Sequence, residues 1–290
     1  MRSDRDLRRP SRILSRRLAL AALVLAPLTF AGLPGALQSA RAADLDSIKS
    51  SGTMNVATED DFHPFEFIED GKPTGYDNDL LALVREAAPF KINQEIIPWA
   101  GILPGVTTGK YDMAVTAVLV NDERKQTLAF TSPIAESTSF YVMKKDQDGI
   151  ASASELNGKT VGVQAGSAML KHLQGFNDKL KADGGSGIKE IVEYQSYPEA
   201  YQDLAIGRTD AVVNTLINVQ SLVNEKPDIF KLGEAVSEPV FIAWATAKGN
   251  DELVEYVNSV LIDARKSGKM YDLQKKWFGA TFETMPETIQ

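Results

Sequence analysis

Residues 62–80 read FHPFEFIEDGKPTGYDNDL, a run of aromatic residues followed by a turn signal and the start of a helical period. Gly71 follows Asp70, and this pair favours a tight turn. Asp77 or Asn78 is expected to cap the helix, because a short acceptor side chain binds the free N–H groups of a first helical turn. Taken alone, the run predicts a loop or hairpin that leads into an amphipathic helix.

Short apolar runs alternate with helical periods along the chain after residue 43. Asp79–Ala88 and Ala168–Leu180 carry apolar residues at helical spacing, and Asp251–Phe278 predicts a long helical region broken near Ser267-Gly268. This alternation indicates an α/β chain with mostly parallel sheets. The predicted strands are Met54–Thr58, Asn93–Ile97, Asp112–Val118, Ser139–Lys144, Thr160–Gln164, Lys189–Tyr194, Asp210–Asn214 and Phe241–Ala247.

Two extended apolar segments favour a pair of lobes over a single sheet. Ser137–Val142 and Phe241–Ala247 contain no turn signal, so each is suited to cross from one lobe to the other. The same residues suit an interior strand equally well. The apolar pattern by itself leaves both interpretations open.

The N-terminus has the three parts of a secretory signal. Seven arginines stand in residues 1–17, an apolar run follows from Leu18 to about Leu33, and Ala40-Arg41-Ala42 offers a small-x-small cleavage site. We therefore predict a signal peptide over residues 1–42 and a periplasmic mature protein. A retained anchor is the alternative, although the apolar run is shorter than the ~20 clean residues that a membrane span needs. Arg16-Arg17 leaves twin-arginine export open.

Removal of the signal peptide makes the chain more acidic. The first 42 residues hold eight Arg and two Asp, so the net charge falls from −8 to −14 on the remaining 248 residues. So acidic a chain has no electrostatic footprint for nucleic acid. The absence of cysteine excludes disulfides and thiolate metal sites, and His63 and His172 are predicted to be ordinary surface residues. We predict no metal and no cofactor.

No catalytic motif stands out in the sequence. It has no Gly-x-Ser-x-Gly, no phosphate-binding glycine loop, no His-Glu-x-x-His and no cysteine nucleophile. Carboxylate runs such as Glu59-Asp60-Asp61 are more typical of a solvated surface than of acid/base pairs in so acidic a chain.

The run over residues 62–80 resembles the family 3 extracellular solute-binding proteins of polar amino acid uptake systems. Their pattern of Pro-Phe-x-(Phe/Tyr), a turn with Gly, and Gly-(Phe/Tyr)-Asp-x-Asp-Leu is present almost whole. Each further match is weak alone, but the matches run in order over about residues 46–279, which makes the resemblance specific. The further matching segments are Trp99–Pro104, Gly109–Asp112, Asn121–Lys125, Ala129–Pro133, Leu156–Ser167 and Gly207–Val212.

The resemblance implies an α/β, two-lobed periplasmic binding protein fold (type II) with two hinge-crossing strands. It implies one lobe over residues 43–139 and 245–290 and a second lobe over residues 140–244. It also implies the substrate-binding component of an ABC uptake transporter, which closes on a polar amino acid or related carboxylate and presents it to a membrane permease. We expect such a protein to be a monomer that binds no nucleic acid, and not to be an enzyme.

The resemblance further implies which residues line the ligand cleft. Arg124 stands where the family pairs with the α-carboxylate of the ligand, and its planar fork of donors suits that role. Phe62 and Trp99 stand where aromatic or apolar residues sandwich the ligand, and Glu59 stands where an acid often meets the ligand's side chain. The other implied ligand-binding residues are Thr116, Ala117, Leu119, Gln164, Gly166, Ser167, Ala168, Asn214 and Thr215.

Several alternatives stay open at this point. Arg124 also suits a surface salt bridge within Asp122–Lys125, and Trp99 also suits core packing. An exported dehydratase on the same fold is a rival function, with Glu59 as the obvious candidate for a general acid or base. A sensory binding module is a second rival.

Two departures from the family pattern bear on the ligand. Leu119 stands where the family commonly has Thr or Ser, and Thr215 stands where it commonly has an Asp that pairs with the α-ammonium. Neutral groups compensate a buried ammonium poorly, so a carboxylate with a masked or absent amine fits at least as well as an ordinary L-amino acid. The alternative is that Glu59 or another first-lobe acid supplies the missing charge.

Overall fold

A computed structural model describes residues 44–289, which form eight α-helices and fourteen β-strands. The predicted signal peptide, residues 1–42, lies outside them. Between residues 44 and 289, no helix is both long and apolar enough to cross a bilayer. The helices are α1 (Leu45–Ser51), α2 (Tyr76–Ala87), α3 (Trp99–Thr107), α4 (Ala168–Ala182), α5 (Tyr197–Ala205), α6 (Leu216–Glu225), α7 (Asp251–Lys266) and α8 (Lys269–Phe278).

All eight predicted strands are confirmed, each to within two residues at either end, and six further short strands join them. The break near Ser267-Gly268 is also confirmed, because Gly268 takes a left-handed φ of 82° between α7 and α8. The strands are β1 (Thr53–Glu59), β2 (Asp61–Phe62), β3 (Glu66–Glu69), β4 (Lys72–Thr74), β5 (Lys91–Ile97), β6 (Met113–Leu119), β7 (Leu128–Phe130), β8 (Ala135–Ser137), β9 (Ser139–Lys144), β10 (Thr160–Gln164), β11 (Glu190–Tyr194), β12 (Ala211–Thr215), β13 (Phe230–Ala235) and β14 (Val240–Ala247).

The strands form two large sheets, each the centre of one lobe. The first sheet has the order β5-β1-β6-β14-β7, with β8 also paired to β14, and helices α2, α3 and α7 pack on it. The second sheet has the order β11-β10-β12-β9-β13 and is covered by α4, α5 and α6. Two layers of helix around each sheet bury both of its faces, which explains the near-continuous apolar run of β6.

The prediction of mostly parallel sheets is wrong for the strands that enter each sheet from the other lobe. β1 lies parallel to β5 and β6, and β10 lies parallel to β11 and β12. By contrast, β14 is antiparallel to β6, β7 and β8, and β9 is antiparallel to β12 and β13. A parallel pair needs a crossover connection within one lobe, whereas a strand that arrives directly from the other sheet is free of that requirement.

The chain passes between the two sheets twice. The first passage is at Thr138, between β8 of the first sheet and β9 of the second, and the second covers residues 236–239, between β13 and β14. The extended run Ser137–Val142 therefore spans the first passage. Phe241–Ala247 pairs wholly within the first sheet, directly after the second passage. The lobe boundaries at 139/140 and 244/245 stay a prediction.

Residues 62–80 fold as a small three-stranded sheet, β2-β3-β4, followed by α2. The predicted turn is confirmed, because Asp70 and Gly71 take φ angles of 51° and 74°. The predicted cap is wrong: Gly75 is the N-cap residue and no side chain caps the helix. Asp77 is fully buried and instead accepts a hydrogen bond of 2.6 Å from Nε1 of Trp244. The buried indole N–H of Trp244 needs an acceptor, and the carboxylate of Asp77 serves as that acceptor instead of capping the helix.

Candidate functional site

Ten side chains from both lobes meet in one small cavity between the two sheets. From the first lobe they come from the ends of β1 and β6, from β2, from the start of α3 and from the turn after β6; from the second they come from the end of β10 and the start of α4. The carboxyl ends of parallel strands are the usual place for ligands in α/β sheets. The lining residues are Glu59, Phe62, Trp99, Ala117, Leu119, Arg124, Gln164, Ser167, Ala168 and Met169.

The cavity encloses about 10 Å³, which is the room of about one water molecule. Small-molecule pockets usually measure about 300–1,000 Å³. The walls touch across the space: Nε2 of Gln164 donates a hydrogen bond of 2.5 Å to Oε1 of Glu59. Any solute larger than water therefore requires the lobes to move apart before it enters.

Arg124 is held at the mouth of this cavity by groups from both lobes. Its Nη1 donates to the carbonyl oxygen of Leu119 at 2.8 Å, and its Nη2 lies 3.5 Å from the carbonyl oxygen of Gly166. Its backbone N–H is fixed by the Asn121 side chain at 2.8 Å. The guanidinium carbon lies 5.2 Å from the centre of the Trp99 ring, a cation–π distance. The fork is thus oriented while part of its donor capacity remains available.

The charge of Arg124 has no carboxylate partner within 4 Å among residues 44–289. Its acidic neighbours pair elsewhere: Asp122 with Lys125 at 3.5 Å, and Glu123 with Lys171 at 3.5 Å. A surface salt bridge of Arg124 is therefore not formed in this part of the chain. Burial lowers the pKa of Arg124 to about 10, which still leaves the guanidinium charged at neutral pH.

The start of α4 faces Arg124 from the second lobe. Ser167 is the N-cap residue: its hydroxyl accepts from the Leu170 N–H at 3.1 Å and donates to the carbonyl oxygen of Gln164 at 2.7 Å. A 15-residue helix presents free N–H groups and the positive end of its dipole at this point. The guanidinium and the helix start together make a setting that favours an anion.

Glu59 is the acidic side chain that lines the cavity, and it is 4% exposed. Burial raises its pKa to about 8, the hydrogen bond from Gln164 lowers it, and the like charges of Asp60 and Asp61 raise it further. With the lobes in contact, the carboxyl group is therefore largely protonated near neutral pH. A cation beside it would restore its charge.

Four of the thirteen sequence-predicted residues do not line the cavity. Gly166 lies beside it and contributes only its carbonyl oxygen to Arg124. Thr116 is buried on β6 and donates its hydroxyl proton to Glu66. Asn214 donates to the Tyr201 hydroxyl at 2.9 Å on the far side of Phe62. That these residues contact the ligand stays a prediction.

Thr215, the fourth of these residues, caps helix α6. Its hydroxyl accepts from the Asn218 N–H at 3.3 Å and donates to Oδ1 of Asn218. It is fully buried, and its own N–H is taken by Oδ1 of Asn214 at 2.7 Å. Its polar groups are thus used inside the second lobe. The family's Asp at this position has the same capacity to cap a helix.

The sequence did not point to Met169 or Glu66, and it pointed to Asp77 only as a helix cap. Met169 lines the cavity because the first turn of α4 points at it, and its place after the Ser167 cap is the signal that was available. Glu66 and Asp77 are fully buried beneath β6. Burial raises the pKa of both, and the adjacent Asp77 raises that of Glu66 further, so Glu66 is the member of the pair that keeps its proton.

Both histidines are half-buried and hydrogen-bonded, so the prediction of ordinary surface residues is only partly right. Nδ1 of His63 lies 3.1 Å from the Ser221 hydroxyl and 3.2 Å from Oε1 of Glu225, both on α6 of the other lobe. Nδ1 of His172 lies 2.8 Å from the Ser139 hydroxyl. Burial lowers the pKa of each ring. No group of three metal-ligating side chains occurs in residues 44–289.

Comparison with known proteins places the chain in a family. The sequence pattern of the bacterial extracellular solute-binding proteins, family 3, matches residues 54–280. A probable amino-acid-binding protein of Bacillus subtilis, YxeM, is 30% identical over 253 residues, which cover 87% of this chain and 93% of that protein. The L-cystine-binding protein TcyJ of Escherichia coli is 30% identical over 239 residues, 81% of this chain and 86% of that protein.

A solved structure gives the same result for the fold. The ancestral amino acid-binding protein AncCDT-1, described as a precursor of cyclohexadienyl dehydratase, superposes with a TM-score of 0.71 at 28% identity, over 80% of this chain and 98% of that one. The chain belongs to the family 3 extracellular solute-binding proteins and has their two-lobed fold. It is a solute-binding protein.

Proposed function

We propose that this family 3 protein captures an amino acid or a closely related carboxylate in the periplasm and presents it to the membrane permease of an ABC transporter. The observation that carries the proposal is the charged guanidinium of Arg124, which has no ion-pair partner among residues 44–289 and is held over Trp99 at the cavity between the lobes. The named relatives support the amino acid class, since YxeM is a probable amino-acid-binding protein and TcyJ binds L-cystine.

In this proposal Arg124 binds the carboxylate of the solute. A guanidinium offers parallel donors that match two carboxylate oxygens, and such charge-assisted pairs are about twice as strong as neutral hydrogen bonds. The start of α4 adds N–H groups from the second lobe. Because the two anion-binding groups come from different lobes, a bound carboxylate favours the closed arrangement.

Glu59 binds the cationic group of the solute. The departure at Thr215 left two options for the amine: a masked or absent amine in a neutral pocket, or an acid from the first lobe. Glu59 lines the cavity, whereas the hydroxyl of Thr215 is used to cap α6. The second option is therefore favoured, and the ligand keeps an ammonium or another cation that faces Glu59.

Catalysis by Glu59 is the second candidate function, and its pKa of about 8 is the observation that favours it. AncCDT-1 is a precursor of cyclohexadienyl dehydratase, so the reaction to consider is a dehydration. Against it, the nearest hydrogen-bond partner of Glu59 is the neutral Gln164, and burial explains the raised pKa without a catalytic role. We propose a receptor that is not an enzyme. Release of water from a cyclohexadienyl carboxylate in the presence of the protein would contradict this.

Export, permease docking and a monomeric state complete the proposal. The predicted signal peptide over residues 1–42 supports export, and the family's extracellular character agrees with it. A strongly acidic mature chain supports the absence of a nucleic-acid partner.

A thermal-shift screen tests the proposed function. The mature protein is heated with each of the common amino acids, their deaminated carboxylates and their betaines. A ligand at about 100 times its Kd stabilises the folded state by about 2.7 kcal/mol, so one chemical cluster of compounds should raise the melting temperature. A clean melt that no compound shifts would contradict a receptor for this class.

A further inference from the structure

A second cavity, of about 740 Å³, lies between the lobes on the other side of Phe62, and is far larger than the central one. The first lobe contributes strand β2 with its neighbours Asp60 and His63, and strand β3. The second lobe contributes α5, α6 and the segment at Ile229 and Phe230. We call this cavity the lateral groove. Its volume is in the usual range for small-molecule sites.

Contacts between the lobes hold the two walls of the lateral groove together. Nδ2 of Asn218 donates to the carbonyl oxygen of His63 at 2.8 Å, and Ser221 and Glu225 meet the ring of His63. The groove therefore depends on both lobes, as the central cavity does. An occupant that contacts both walls binds the closed arrangement better than the open one.

One corner of the groove is acidic. Asp60, Asp61 and Glu225 line it, against Lys226 and His63, and His63 is already engaged by Glu225. Asp61 is partly buried, and burial together with the like charge of Asp60 raises its pKa to about 6. A cation bound at this corner would lower that pKa, because a nearby positive charge favours the ionised carboxylate.

An aromatic row begins at Phe62, beside the acidic corner, and continues along the second-lobe wall of the groove. The ring centres of Phe62 and Tyr197 are 5.6 Å apart, those of Tyr197 and Tyr201 are 5.7 Å apart, and those of Tyr201 and Phe230 are 6.3 Å apart. The Tyr201 hydroxyl accepts from Asn214, which fixes its ring. Aromatic faces attract cations and cover hydrocarbon, so the row suits the body of an organic cation.

The rim of the groove carries exposed apolar side chains from both lobes. Ile68 of the first lobe and Ile229 of the second are each 44% exposed and both line the groove. Within residues 44–289 the only other large apolar side chain this exposed is Ile206, next to the groove-lining Ala205. Exposed apolar residues that gather at one cavity mark a binding surface better than scattered ones do.

We propose that the lateral groove is a second binding site, which takes an organic cation with an apolar body. The ammonium or guanidinium of that ligand lies at Asp60 and Asp61, and its hydrocarbon or aromatic part lies along the aromatic row. The site is separate from the central cavity, since the buried Phe62 stands between them.

The test is a calorimetric titration of the mature protein with benzylammonium, which combines a cation with a small aromatic body. Benzyl alcohol and benzoate, which have a similar aromatic body, are the neutral and anionic control ligands. We expect saturable binding of benzylammonium, weaker binding of benzyl alcohol and none of benzoate. Asp61→Asn should weaken benzylammonium binding about tenfold, and Asp60→Asn should weaken it in the same direction. Asp178→Asn, an exposed acid on α4, is the control and should leave the Kd unchanged.

A further variant separates this site from the central cavity. Arg124→Ala should retain saturable binding of benzylammonium, since Arg124 does not line the groove. Equal Kd values for wild type and Asp61→Asn, equal binding of benzyl alcohol, or loss of binding only in Arg124→Ala would overturn the proposal. None of these results bears on the amino acid screen, so the two proposals fail independently.

Discussion

Gln164 of the second lobe donates a hydrogen bond of 2.5 Å to Glu59 of the first, across a cavity of about 10 Å³. This bond joins the end of β10 to the end of β1, so both partners lie at the carboxyl ends of parallel strands. When the lobes close at this bond, the carboxyl group of Glu59 is removed from water. The charge state of Glu59 is therefore linked to the opening and closing of the molecule.

Acid pH should favour the closed arrangement. In the closed arrangement burial raises the pKa of Glu59 from its ordinary 4.5 to about 8. Opening the lobes is expected to return the carboxyl group to water, so the closed form binds a proton more tightly than the open form. The stabilisation of the closed form is complete below about pH 4.5 and is lost as the pH rises through about 8. One pKa unit corresponds to about 1.4 kcal/mol, which makes this a shift of up to a few kcal/mol.

Small-angle X-ray scattering measures this effect as a smaller radius of gyration at pH 5 than at pH 8.5. Glu59→Gln should remove the pH dependence, because glutamine keeps the contact with Gln164 and does not titrate. Glu95→Gln, an exposed acid on β5, should keep it. A radius that stays constant in wild type would contradict the linkage.

Glu59 should also decide the amine selectivity. Glu59→Gln is expected to weaken binding of an ordinary L-amino acid by tenfold or more, since a desolvated ammonium loses its counter-charge. The matching carboxylate without an amine should lose little. Calorimetry on both ligands gives the comparison. The opposite ranking, with the amine-free carboxylate more affected, would favour a neutral pocket that binds a ligand without a free amine.

Thr215→Asp provides the converse test of the amine site. Aspartate can accept from the Asn218 N–H as threonine does, but its carboxylate cannot replace the hydroxyl proton that Thr215 donates to Oδ1 of Asn218, so the melting temperature of the free variant is measured first. With Glu59 supplying the negative charge, the affinity for L-amino acids should change by less than about threefold, a free-energy change well under 1.4 kcal/mol. A large gain in affinity would show that residue 215 faces the ligand's ammonium and that Glu59 does not serve it.

Asp77→Asn should make the unfolding free energy less dependent on pH. Burial raises the pKa of Asp77 from 3.8 to about 6, so the folded protein binds a proton more tightly than the unfolded chain. Its contribution is fully present below about pH 3.8 and is lost as the pH rises through about 6, on the order of 1–3 kcal/mol. Asparagine keeps an acceptor for Trp244. Urea unfolding at pH 4 and pH 7 should show a smaller difference in the variant, and a larger difference would refute this role.

The apolar periodicity of the chain predicted the strands well because each buried strand has to be apolar on its own. Periodicity could not predict that β9 and β14 run antiparallel to their neighbours. The direction of each strand depends on whether the chain arrives from the same sheet or from the other one. Asp77 shows a second limit. Local rules make it a helix cap, but Trp244, 167 residues away, takes its carboxylate inside the core.

Residues of the candidate site could be predicted where a family motif fixes their position in the chain. Glu59, Trp99, Arg124 and Gln164 lie together in the cavity for that reason. Thr215 and Asn214 were placed by the same motif, yet their polar groups bond within the second lobe. The lateral groove has no sequence signature at all, because its lining comes from two segments, residues 60–68 and 197–230, that are far apart in the chain.

Titration of Arg124→Ala with the amino acid that wild type binds best tests the central claim most directly. Removing one partner of a buried charge pair costs on the order of 2–5 kcal/mol, or roughly 30-fold to several thousand-fold in affinity. Arg208→Ala, which breaks an exposed ion pair with Asp203, is the matched control and should bind as wild type does. The account predicts a loss of at least about 30-fold in Arg124→Ala with an unchanged melting temperature of the free protein. A loss of less than about threefold in that folded variant, well under 1.4 kcal/mol, would contradict the account.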